Sequence, residues 1–212
     1  MTAPVSVCHR GASALAAENS IEAFRIAMQY GVDFSELDVH LGRDGELVVT
    51  HDAVEDPQAE RTLPRLSEVF DLVRGRMGIY VELKGDHTGR GLGELIGRGE
   101  ADGVQLISGS FKLDLVAELC AAAPDVPRSI LFSSGWQVPA MIDACHELGV
   151  KYAHPCFRPI EPSLVDAFHQ ADLLVMTPHT NDAGEARYFA HIGVDVIASD
   201  DPRIVTSLHR TT

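Results

Sequence analysis

The chain of 212 residues is predicted to fold as a compact (β/α)8 barrel, a closed ring of parallel strands wrapped by helices. Short apolar strands alternate with amphipathic helices along its length, a pattern that calls for a parallel sheet with crossover helices. Setting aside the short Leu47–Thr50 run, eight strands and eight helices can be counted, and eight favours closure over an open sheet. Gly31-Val-Asp, Gly149-Val-Lys and Gly193-Val-Asp each mark a helix ending and a strand starting, a weak repeat of βα units. No G-x-G-x-x-G follows the first strand, which weighs against a doubly wound, dinucleotide-binding sheet. The length suits one domain spanning residues 1–212, at the short end of the barrel range.

In chain order, Val5 to His9 is the first strand and His9-Arg10-Gly11 ends it. Asn19 or Ser20 is the N-cap of a helix running through Phe24 to Met28 and stopping at Gly31. Asp33 to His40 is the second strand, Asp44-Gly45 a turn, and Glu46 to Thr50 a short return strand ending in His51-Asp52. Ala53 to Pro64 reads as a polar connection, Leu66 to Val73 as a helix, and Ile79 to Lys84 as the third principal strand. Gly85 to Gly91 reads as a mobile, glycine-rich loop. Beyond it come strands at 104–107, 129–132, 151–154, 173–176 and 194–198, each followed by a helix, the last at 202–208. Asp200 and Asp201 read as caps of that last helix.

Net charge is −14 with histidine neutral, and no basic cluster offsets it, so a nucleic-acid or anionic-membrane surface is not expected. No apolar run approaches the roughly 18–20 residues that span a bilayer. The start, MTAPVSVCHR, has no basic region followed by an apolar core, and a cytoplasmic protein is expected. Cys8, Cys120, Cys145 and Cys156 lie far apart and read as buried thiols.

Functional residues of such a barrel stand at the C-terminal ends of its strands. Those ends carry His9-Arg10, then Glu36 with Asp38, then His51 after the return strand, then Glu82 with Lys84. Glu36-x-Asp38 and Glu82-x-Lys84 have the period of two that puts both side chains on one strand face. Paired carboxylates repel unless a proton or cation is shared between them. A solvated face is the plain reading of either pair alone, and a Lys84–carboxylate salt bridge the plain reading of the second. The convergence argues otherwise: Glu36, Asp38 and Glu82 from adjacent strands suit one hard divalent cation, Mg²⁺ or Ca²⁺. Arg10 and Lys84 add fixed positive charge for a phosphoryl group, and His9 and His51 can act as base and acid on either side of phosphorus. These parts describe phosphodiester cleavage. His154 and His179 also face the barrel mouth, Phe111 is either an apolar wall or a core aromatic, and Trp136 falls on the same rim.

HRGASALAAENSIEAF, ELDVHLGRDGELVVTHD, LPRLSEVFDLV, YVELK and the closing GVDVIASDDP resemble the glycerophosphodiester phosphodiesterases over nearly the whole chain. The resemblance implies a (β/α)8 barrel with His9 and His51 as the acid–base pair, Glu36, Asp38 and Glu82 as ligands of one divalent cation, and Arg10 and Lys84 on the phosphate. Phe111 and His154 are further candidates for substrate contact. It implies a small-molecule glycerophosphodiester substrate cleaved to glycerol phosphate and an alcohol, through attack by the neighbouring glycerol hydroxyl and a cyclic phosphate that water opens. Three departures stand out. The small insertion domain after the second strand is largely absent, since only Ala53 to Arg65 fills its place, so a more open site tolerant of larger headgroups is expected. Met176-Thr-Pro-His-Thr-Asn181 replaces a tryptophan-containing segment, and Ala17 stands where proline often precedes Glu18-Asn19-Ser20. A lysophospholipase D or sphingomyelinase D-like reaction releasing cyclic phosphate, and a non-catalytic metal- and phosphate-binding barrel, are the alternatives. The sequence gives no oligomeric state.

Overall fold

The computed structural model describes residues 3–210. Its strands are β1 (Val5–Cys8), β2 (Phe34–Leu41), β3 (Leu47–Val49), β4 (Gly78–Leu83), β5 (Leu106–Ser110), β6 (Arg128–Phe132), β7 (Tyr152–Pro155), β8 (Leu174–Val175) and β9 (Val196–Ser199). All but β3 form a parallel sheet in the order β8-β7-β6-β5-β4-β2-β1-β9, while β3 folds back antiparallel on β2. The ends of that order meet. Met176 bridges Val196 in parallel, the Asp195 N–H donates to the Val175 carbonyl at 3.1 Å and the Thr177 N–H to the Val196 carbonyl at 3.3 Å. The seam is thinner than the other pairings, because β8 is only two residues long, but it completes the predicted (β/α)8 ring.

Strand alternation sorts side chains into two apolar layers. Val7, Tyr80, Ile107, Leu131, Met176 and Val196 point inward and fill the lower barrel. Leu37, Val39, Val81 and Leu83 point outward and pack with helix residues such as Phe24, Phe70, Leu92, Leu119, Phe168 and Phe189. The helices are α1 (Ile21–Tyr30), α2 (Pro57–Glu60), α3 (Leu66–Val73), α4 (Thr88–Gly97), α5 (Leu113–Ala122), α6 (Val138–Glu147), α7 (Pro162–Gln170), α8 (Ala183–His191) and α9 (Pro202–Ser207). Among the described residues no helix is long and apolar enough to cross a membrane.

Three local readings are corrected. The 85–91 stretch is not a mobile loop, because α4 begins at Thr88 and its glycines are a packing face. A Cβ on Gly89 would stand 2.2 Å from the Leu115 carbonyl oxygen, so the missing side chain is what lets α4 lie against α5. The following strand starts at Leu106 rather than Val104 and runs on to Ser110. The polar connection after Asp52 contains α2, and it is tied down where the Val49 N–H donates to the Pro64 carbonyl at 2.9 Å. The four cysteines are free, Cys8 and Cys145 buried and the other two half-buried.

Gly89→Ala is expected to lower stability by about 1–3 kcal/mol through overpacking against α5. Gly97→Ala in the same helix meets no atom within 4 Å and is expected to stabilise by about 0.5–1 kcal/mol. Urea unfolding of both variants checks this, and equal effects would contradict the packing account.

Candidate active site

The polypeptide leaves β1 with the His9 N–H donating to the Ser199 carbonyl at 2.9 Å, then turns sharply. Arg10 and Gly11 are both left-handed, at φ 56° and 78°. Gly11 is required twice over, since a Cβ there would also fall 2.5 Å from Ala23 Cβ in α1. The turn aims the Arg10 N–H at Glu36 Oε2 (2.8 Å) and lays its guanidinium over the sheet, with Nε 3.1 Å from Asp38 Oδ2 and Nη1 donating to Glu18. Ser20 caps α1 by accepting from the Ala23 N–H at 3.2 Å. Asn19 is thereby released from capping: its Nδ2 donates to Asp38 Oδ2 at 3.0 Å and its Oδ1 accepts from the Asp38 N–H at 3.3 Å.

The register of β2 on β4 sets Asp38 opposite Glu82 and Glu36 opposite Tyr80. Glu36, Asp38 and Glu82 are buried, and each offers a carboxylate oxygen within 4.8 Å of the others. Lys84 Nζ lies 2.7 Å from Glu82 Oε1 and 3.3 Å from Asp38 Oδ1, so the salt bridge exists as one part of the cluster. Burial, with the charges of Asp38 and Glu82, holds Glu36 well above the usual carboxylate range. Burial raises Glu82 as well, against the pull of Lys84. Arg10 and Lys84 face three carboxyl groups, and Glu36 Oε1 is buried with no hydrogen-bond partner. An all-oxygen donor set with an orphaned buried oxygen fits a hard divalent cation.

Both predicted acid–base residues reach the same cavity, of about 380 Å³, at the C-terminal ends of the strands. His9 Nδ1 lies 2.7 Å from Asp200 Oδ1, and His51 Nδ1 lies 2.8 Å from Asp52 Oδ1. A carboxylate only accepts, so each Nδ1 carries the proton and each Nε2 is left for chemistry. His40 Nε2 donates to the His51 carbonyl at 3.1 Å, steadying that loop. Arg10, Glu36, Glu82, Lys84, Phe111 and His154 line the cavity too, over an apolar floor of Val7, Leu131, Met176 and Val196.

The glycerophosphoryl diester phosphodiesterase family matches residues 9–75, the stretch that holds His9, Arg10, Glu36, Asp38 and His51. A glycerophosphodiester phosphodiesterase of Caldanaerobacter subterraneus is 27% identical over 96% of this chain and 97% of that protein. One of Bacillus altitudinis is 28% identical over 92% and 93%. Among solved structures, an Oleispira antarctica phosphodiesterase in complex with the product sn-glycerol-3-phosphate superposes with a TM-score of 0.86 at 22% identity, covering 99% of this chain and 98% of that one. The family match and the full-length relatives all indicate the glycerophosphodiester phosphodiesterase family.

Within the cavity, some residues differ from their sequence reading. Asp200 is not a helix cap. Asp201 caps α9, accepting from the Arg203 N–H at 2.9 Å, while Asp200 turns to His9. Burial works to raise Asp200, yet hydrogen bonds from His9 and Asn181 hold its carboxyl well below the usual range. Strand alternation carried the signal, since Val196 and Ala198 already line the cavity. Arg158 also lines it, paired with Glu185 at 2.7 Å, and had no motif to announce it. Phe111 is exposed at the cavity wall, not in the core. Trp136 instead packs edge-on against Phe132 with ring centroids 5.2 Å apart, and it is not among the cavity-lining residues.

His154 has both ring nitrogens engaged, Nε2 with the Thr177 carbonyl at 3.0 Å and Nδ1 with the Tyr80 hydroxyl at 3.3 Å. Burial lowers its pKa to about 4 from an ordinary 6.5. Between those values only the unfolded chain takes the proton. Stability is therefore full above about pH 6.5 and declines as pH falls towards 4, by ~3 kcal/mol in all. Urea unfolding of wild type and His154→Gln at pH 7 and pH 4.5 is expected to show the variant losing much less on acidification. Parallel losses would mean that the folded ring binds its proton normally.

Proposed function

We propose that the protein is a metal-dependent hydrolase that cleaves glycerophosphodiesters to glycerol phosphate and an alcohol. The observation that carries this reading is the pair of histidines on one cavity, each with Nδ1 on a carboxylate, beside three buried carboxylates placed so that they could hold a cation. Family relatives named for this activity and a neighbour that holds glycerol phosphate support it.

Glu36, Asp38 and Glu82 would hold Mg²⁺ or Ca²⁺, which supplies polarisation of a phosphoryl oxygen and neutralises developing charge. Arg10 and Lys84 keep positive charge beside the phosphate, because the carboxylates around them outweigh the cost of burial. In the first step His9 Nε2 takes the proton of the glycerol hydroxyl next to the diester as that oxygen attacks phosphorus. The bond from phosphorus to the headgroup oxygen breaks, and His51 Nε2 protonates the departing alcohol. In the second step water opens the cyclic phosphate: His51 accepts the water proton and His9 returns its own to the glycerol oxygen. His51 lies on the side where the connection to α3 is short, which favours escape of headgroups of varied size.

Chelator-stripped protein is expected to be inactive on glycerophosphocholine and to regain glycerol phosphate release with Mg²⁺ or Ca²⁺. His51→Ala should lose about 10²–10⁴-fold in kcat. Phosphorus NMR of the products checks both, and cyclic phosphate as the final product would replace hydrolysis by the cyclising reaction. No turnover with any metal or diester would sink the enzymatic reading.

A further inference from the structure

The segment after β8 lacks the tryptophan expected from the family resemblance and supplies an imidazole instead. The His179 ring lies flat on that of His9, with centroids 4.0 Å apart and planes 7° from parallel. With Asp200 the two rings bring donor atoms within 4.8 Å of one another, a number and type that would suit a transition metal. The ring planes argue against that. An imidazole lone pair lies in the plane of its ring, and two nearly parallel planes share no point where one ion could meet both. Asp200 already occupies His9 Nδ1.

We propose that His179 is a positioning residue for His9, its ring face fixing the plane of the His9 imidazole while Asp200 fixes the tautomer. The inference rests on His9 being an acid–base residue of the proposed reaction. One hydrogen bond at Nδ1 leaves the ring free to swing about the N···O axis, and a flat neighbour 4.0 Å away removes that freedom. The two supports are themselves one unit. Asn181 Nδ2 donates to Asp200 Oδ2 at 2.6 Å, and its Oδ1 accepts from the Asp200 N–H at 3.0 Å. The Thr180 N–H donates to the Ala198 carbonyl at 2.8 Å. On the other side Arg158 Nη2 donates to the His179 carbonyl at 3.0 Å, and Glu185 clamps that guanidinium at 2.7 and 2.9 Å. Partial burial and the neighbouring His9 ring lower the His179 pKa.

The test compares His179→Ala and His179→Phe in the full chain with its divalent cation. Loss of the flat neighbour in His179→Ala is expected to lower kcat about 10–100-fold, the scale set by ångström misplacement, with KM within about twofold. His179→Phe restores a ring face without a titrating group and is expected to recover most of that loss. Proton and nitrogen NMR of the His9 ring gives a readout independent of turnover. The Nδ1–H tautomer should persist in both variants. The ring-current shielding of the His9 ring protons should vanish with alanine and return with phenylalanine. Unchanged kcat in His179→Ala, or no rescue by phenylalanine in a protein that melts like wild type, would overturn the proposal. Full activity in His9→Gln would overturn the acid–base reading instead, and the NMR comparison would then decide alone whether His179 orders the ring.

Discussion

The parallel register of β2 on β4 is the constraint around which the candidate site is built. It puts Asp38 beside Glu82, with Glu36 one inward position below, at a depth where carboxylates are poorly solvated. Buried like charges are costly unless compensated, and each neighbouring feature answers that cost. Lys84 folds back over two of them, Arg10 reaches a third contact, and Asn19 gives an amide to Asp38. The proposed divalent cation would sit among these carboxylates.

The same alternation that gathers these charges keeps them apart from the apolar interior. Along β4, Tyr80 and Glu82 face the barrel while Val81 and Leu83 face the helices. One strand thus contributes to the barrel filling, the site and the helix-packing layer within four residues. Apolar side chains below the site exclude water from beneath it, which strengthens the electrostatics above.

The two histidines are matched in chemistry and unequal in support. His51 relies on the exposed Asp52 and on His40 at its backbone, at the end of a short hairpin. His9 is held by Asp200 and stacked by His179, within a network that extends to Asn181, Arg158 and Glu185. The proposed reaction makes sense of that difference. The group that deprotonates an internal hydroxyl needs a fixed direction, whereas the group facing departing alcohol and entering water works at the open edge.

By itself the sequence determined whatever depends on neighbours in the chain. Eight βα units, the inward pairs Glu36/Asp38 and Glu82/Lys84, and the His51-Asp52 pair all follow from strand and helix periods acting over two to four residues. Their convergence was legible because every such barrel gathers its strand ends on one face. Where local signals were ambiguous the reading failed: the 85–91 glycines looked like a loose loop until α5 gave them a surface to pack against. Only the tertiary structure decided that Asp200 serves His9 and that His179 covers it, since those contacts span most of the chain. Ring closure makes β9 the neighbour of β1, and no local preference records which side chains that meeting will bring together.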